Sequence, residues 1–92
     1  MTILDWLDRF LEHLETERSF SEHTLRAYSA DIVEFVRSND RGGALDPGDV
    51  DHLVVRGYLA RLRKSGRSRA TIARKLASLR SFFRFLVREE VV

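Results

Sequence analysis

Ser68-Arg69-Ala70-Thr71-Ile72-Ala73-Arg74-Lys75-Leu76-Ala77-Ser78-Leu79-Arg80-Ser81-Phe82-Phe83-Arg84-Phe85-Leu86 is the segment that decides how this 92-residue chain folds. At 100° per residue Ile72, Leu76, Leu79, Phe83 and Leu86 fall within one narrow arc, which predicts a helix from about 69 to 89 packing that stripe inward. Ser68 supplies the side-chain oxygen that caps it. The opposite side holds Ala70, Thr71, Arg74, Ala77, Ser78 and Ser81, bordered by Arg67, Lys75, Arg84 and Arg88. Alanine and serine keep this side low, as a helix lying in a major groove requires, while Thr71, Arg74 and Ser78 reach toward base edges and phosphates. An ordinary solvated face would interleave Glu with the Arg and Lys, yet no acidic residue stands between Asp51 and Glu89.

Moving toward the amino terminus, Gly66 sits where a left-handed helix end is wanted. Asp51 caps a third helix whose buried positions are Val55, Tyr58, Leu59 and Leu62. Ser38-Asn39-Asp40-Arg41-Gly42-Gly43 and Asp46-Pro47-Gly48 carry turn chemistry and place the longest loop between about 39 and 50. Before it, a helix from about 22 to 38 is capped by Ser21, with Phe20 and Leu25 spaced as a hydrophobic staple. Its inward stripe is Leu25, Tyr28, Ile32, Phe35 and Val36; His23, Arg26, Ala30, Glu34 and Arg37 take the outer side. The first helix, from about 3 to 17, buries Ile3, Leu7, Phe10, Leu11 and Leu14 and is capped by Thr2 with Asp5. The expected fold is all-α, four helices around one core, in one domain over 1–92.

The net charge of +2 conceals two halves of opposite sign. Residues 1–51 hold 5 Arg against 12 Asp and Glu, a net −7; residues 52–92 hold 11 Lys and Arg against 2 Glu, a net +9. Basic blocks of this kind suit polyanions, because each neutralised phosphate releases condensed counterions. The acidic outer face of the first helix (Asp5, Asp8, Glu12, Glu15) would be repelled by phosphate and belongs away from it. At the start of the second helix Ser21, His23, Thr24 and Arg26 combine a helix amino terminus, hydroxyls and a cation.

Catalysis finds no support in these residues. Tyr28 and Tyr58 lie in apolar stripes, the carboxylates of the first helix have no apolar pocket to shift them, and Gly42-Gly43 lacks the rest of a phosphate-binding loop. There is no cysteine, and His13, His23 and His52 lack metal-site spacing, so neither a metal nor any other cofactor is expected. No apolar run reaches the length of a membrane span, and Asp5 and Asp8 are unlike a secretory signal. A cytoplasmic protein with no membrane partner and no small-molecule substrate is the expectation.

Three segments together resemble a known family. Ser21-Glu22-His23-Thr24-Leu25-Arg26-Ala27-Tyr28 with Asp31-Ile32 and Phe35, then Val55-Arg56-Gly57-Tyr58-Leu59-Ala60 with Leu62, then the 68–86 segment, are similar to the amino-terminal domain of tyrosine recombinases and phage integrases, the Xer branch above all. The resemblance implies a SAM-like four-helix orthogonal bundle that serves as a core-binding domain. It further implies a larger enzyme that clamps double-stranded DNA at a recombination site, the second and fourth helices meeting the major groove. Carried over by residue, it points to His23, Thr24, Arg26 and Ala27, and to Arg69, Ala70, Thr71, Arg74 and Ser78; charge and position add Arg67 and Lys75. The family's nucleophilic tyrosine and phosphate-binding arginines and histidines belong to a separate catalytic domain, expected beyond Val92, so these residues alone are expected not to cut DNA. Such enzymes act as tetramers of recombinase protomers, and the Xer branch resolves chromosome dimers at cell division. Two other readings stand beside this one: a helical protein-interaction adaptor docking through the acidic first helix, and a helix-turn-helix regulator, suggested by the tight turn at Gly66 and Ser68.

Overall fold

The computed structural model describes residues 2–17, 20–39 and 45–92. Among them are four α-helices, α1 (Ile3–Glu17), α2 (Glu22–Asn39), α3 (His52–Lys64) and α4 (Arg69–Arg88), and a short 3-10 helix at Pro47–Asp49.

Local chemistry accounts for each start. Thr2 and Asp5 exchange bonds at the head of α1: the Thr2 amide donates to Asp5 Oδ2 at 2.8 Å and the Asp5 amide to Thr2 Oγ1 at 3.3 Å. Ser21 accepts from the Thr24 amide, Asp51 from that of Val54 and Ser68 from that of Thr71, so every helix begins at its expected cap. Gly66, with φ of 83°, ends α3 in the left-handed region, and the Arg67 amide returns to the Leu62 carbonyl. The same turn closes α4 with a non-glycine residue: Glu90 has φ of 59°, and the Val91 amide donates to the Leu86 carbonyl.

The expected loop begins one residue later, after Asn39, and ends as expected at the Asp51 cap of α3. α2 continues through Ser38 and Asn39, where Asn39 Nδ2 donates to the Phe35 carbonyl and Arg61 of α3 binds Ser38 Oγ and Asn39 Oδ1. That tie offsets the turn preference of the two residues. Pro47 and the Asp46 cap form the 3-10 helix, while the turn read at residues 40–44 lies outside the described residues.

An aromatic chain knits the four helices. Tyr28 stands T-shaped to Phe10, Phe10 packs on Phe82 and Phe85, Phe82 on Phe83, Phe83 on Phe35, and Phe35 on Tyr58. Phe20 also meets Tyr28. Ile3, Leu7, Ile32, Val36, Leu62, Leu79 and Leu86 fill the space around this chain. Both α2 and α4 touch every other helix. For that reason α4 is buried over a wider arc than its aliphatic stripe predicts: Phe82 and Phe85 are buried with Leu79 and Leu86, whereas Ile72, Leu76 and Phe83 are half-buried.

Candidate nucleic-acid interface

The amino-terminal half of α4 lies against the middle of α2, and the junction is polar. Asp31, only 1% exposed, receives Lys75 Nζ on Oδ1 at 3.2 Å and Ser78 Oγ on Oδ2 at 2.7 Å. Arg74 pairs with the same Oδ1 at 3.1 Å. One turn along α2, Glu34 takes Lys75 Nζ on Oε2 at 2.8 Å, and on Oε1 the Tyr58 hydroxyl at 3.4 Å and Arg67 at 3.2 Å. Three cations thus share two carboxylates, and no buried side-chain polar atom among the described residues lacks a partner.

This network shifts the groups within it. The hydrogen bond from Lys75, with the nearby charges of Lys75 and Arg67, holds the Glu34 carboxyl below its usual range against the opposing effect of partial burial. Burial first, and the Glu34 and Asp31 charges second, push the Tyr58 phenol up to about 12. Tyr58 is therefore a neutral core residue with its hydroxyl on Glu34, as its apolar stripe predicted.

Lys75 and Ser78 require correction. Expected on or beside the outward face of α4, each is 4% exposed and directed at Asp31. Glu34, expected on the outer side of α2, is half-buried and faces α3 and α4. Helical spacing had put Lys75 at the border of the apolar arc. What drew it inward is a carboxylate on another helix, 44 residues earlier. The same spacing held the one available signal: Asp31 and Glu34 are three apart on α2, and Lys75 and Ser78 three apart on α4, each pair on one helical face.

The other predicted residues are open to solvent. On α4 and the turn before it, Arg67, Arg69, Ala70 and Arg74 are exposed and Thr71 is half-buried, its hydroxyl bonded to Ser68. Arg74 keeps 55% of its side chain exposed while paired with Asp31. On α2, His23 and Arg26 are exposed, Thr24 and Ala27 half-buried; Arg26 pairs with Glu22 in solvent and Ser21 Oγ lies 2.9 Å from Thr24 Oγ1. Thr24, Ala27, Asp31 and Glu34 form one stripe at steps of three and four. Its later half is tied to α4, Glu34 meeting Arg67 and Lys75 and Asp31 meeting Arg74, Lys75 and Ser78, while the earlier Tyr28 lines a groove with Ser81 and Arg84. The acidic residues Asp5, Asp8, Glu12 and Glu15 are exposed on α1. No trio of His, Asp and Glu among the described residues is arranged to hold a metal, and no described helix is long and apolar enough to cross a membrane.

A four-helix, wholly α domain with a cation-bearing surface on its second and fourth helices is the class that fold and site define. Residues 7–90 match the family described as phage integrase, N-terminal SAM-like domain, and the chain belongs to that family. It is 45% identical over 84 residues to the tyrosine recombinase XerC of Listeria innocua, covering 91% of this chain and 28% of that protein. It is 46% identical over 86 residues to that of Lacticaseibacillus casei, covering 90% of this chain and 28% of that protein. It is 38% identical over 91 residues to that of Pelotomaculum thermopropionicum, covering 94% and 30%. The chain thus spans somewhat over a quarter of the length of these relatives, and its residues 7–90 match an amino-terminal domain. No solved structure matches the chain.

Proposed function

We propose that residues 1–92 form one core-binding domain of a site-specific tyrosine recombinase of the Xer type, and that it binds duplex DNA through the outer sides of α2 and α4. The observation that carries this reading is the polar junction at Asp31 and Glu34. It ties α2, with His23, Thr24, Arg26 and Ala27 at its start, to α4, with Arg67, Arg69, Ala70, Thr71 and Arg74 at or before its start, in a chain with no acidic residue from 52 to 88. Small residues at Ala27 and Ala70 leave room for the backbones to approach the groove, and the cations meet phosphates and base edges. Lys75 and Ser78 take a supporting part in this reading, holding the surface from beneath.

In the full-length protein the domain is one half of a clamp on the recombination site, acting in the cytoplasm with other recombinase protomers in a tetramer that resolves chromosome dimers. The names of the relatives and the family match support this assignment. The test is a titration of a labelled duplex with the 92-residue chain. Weak binding that falls steeply between about 50 and 200 mM salt is expected, since each neutralised phosphate releases counterions. Affinity unchanged over that range would contradict the proposal.

A further inference from the structure

We propose that Asp31 is a positioning residue that sets Arg74 for sequence preference on DNA, an inference that rests on the reading just given. Among the described residues Arg74 is the one exposed cation whose partner is a buried carboxylate: its side chain is 55% exposed, that of Asp31 1%. Asp31 is itself fixed from α4, by Lys75 on one oxygen and Ser78 on the other. Ser78 has a single hydroxyl proton, with Asp31 Oδ2 at 2.7 Å and the Arg74 carbonyl at 3.2 Å; the shorter approach to a charged acceptor takes it. The anchor of Arg74 is therefore more rigid than Arg74 itself.

Two consequences oppose each other. A carboxylate beside the guanidinium cancels part of its charge and weakens its pull on any phosphate, so Asp31 lowers general affinity for DNA. The same carboxylate restricts the rotamers of a long side chain before binding, which favours the one geometry that meets a base edge in register. Among the described residues Arg26 pairs with Glu22 alone, in open solvent, and meets no such buried anchor. Asp31 thus exchanges bulk attraction for selectivity.

Opposite signs make the inference testable in the 92-residue chain. The probes are a duplex selected by the wild-type chain from a randomised pool and a scrambled version of it. The variants are Asp31→Asn, Arg74→Ala and the double variant, assayed at a temperature where melting curves show all of them folded. Asp31→Asn should bind the scrambled duplex at least as tightly as wild type, yet lose about fivefold or more of the preference for the selected duplex, the lower end of what one base-reading arginine supplies. In the Arg74→Ala background the same change should alter the preference by less than about twofold, because Asp31 acts through Arg74. A merely structural role would weaken both duplexes together and persist in the Arg74→Ala background, and either result overturns the proposal. Wild-type binding without any preference also overturns it, leaving the DNA-binding reading intact; no binding to any duplex defeats that reading itself.

Discussion

Lys75 Nζ and Asp31 Oδ1 lie 3.2 Å apart across the contact between α4 and α2, with 5% and 1% of their side chains exposed. Removing the cation strands a buried carboxylate, although Ser78 and Arg74 still meet it. Lys75→Met, which keeps the apolar stem, should cost about 3 kcal/mol in urea unfolding, the low end for breaking a buried pair. Combined with Asp31→Asn it should cost at least about 1 kcal/mol less than the two changes summed. Additive costs would mean that the two groups do not stabilise each other.

Stability should also fall in alkali for a reason confined to one residue. Folded Tyr58 ionises near 12, above its unfolded value of 10.0, so its contribution is complete below pH 10 and disappears as pH rises toward 12. The loss is on the order of 2 kcal/mol over that interval. Tyr58→Phe should remove this decline, as read by denaturant midpoints at stepped pH; an unaltered slope would place its origin elsewhere. Glu34 behaves oppositely. Its lowered pKa contributes stability that is present above the unfolded value of 4.5 and is lost as pH falls through the folded value, so Glu34→Gln should flatten the acid limb.

The two left-handed helix ends make a matched pair. At Gly66 an added Cβ meets no heavy atom within 4 Å, so Gly66→Ala should destabilise only through its backbone, by about 1 kcal/mol. At Glu90 the same conformation is held by a residue with a Cβ, and Glu90→Gly should stabilise the domain by about the same amount. Thermal melts of both variants check the signs, which must be opposite.

How far the fold could be read beforehand follows from the range of the forces involved. Caps at Thr2, Ser21, Asp51 and Ser68 involve bonds spanning three residues, and each stood where local chemistry placed it. The apolar stripes of α1 and α2 likewise depend on helical period alone. Lys75, Ser78 and Glu34 were misplaced because their surroundings are set by partners 41 to 47 residues away, and a helical wheel holds no information about another helix. α4 defeated its wheel for a second reason: it touches three neighbours, so Phe82 and Phe85 are as deeply buried as the aliphatic stripe. That His23, Arg26, Arg67, Arg69, Ala70 and Arg74 face solvent depends on helical period and could be read without any long-range partner.

The central claim is that this surface binds duplex DNA, and salt dependence tests it most directly. Two sets of three arginines on or beside α4 can be replaced by alanine: Arg67, Arg69 and Arg74 at its start, and Arg80, Arg84 and Arg88 farther along, the last bonded to His13. Both sets remove the same charge, so a general attraction would respond equally to either. We predict that the first set lowers the slope of log affinity against log salt by about one for each phosphate that is no longer neutralised, and weakens binding far more than the second. Equal effects from both sets, or a slope unchanged by the first, would contradict the account.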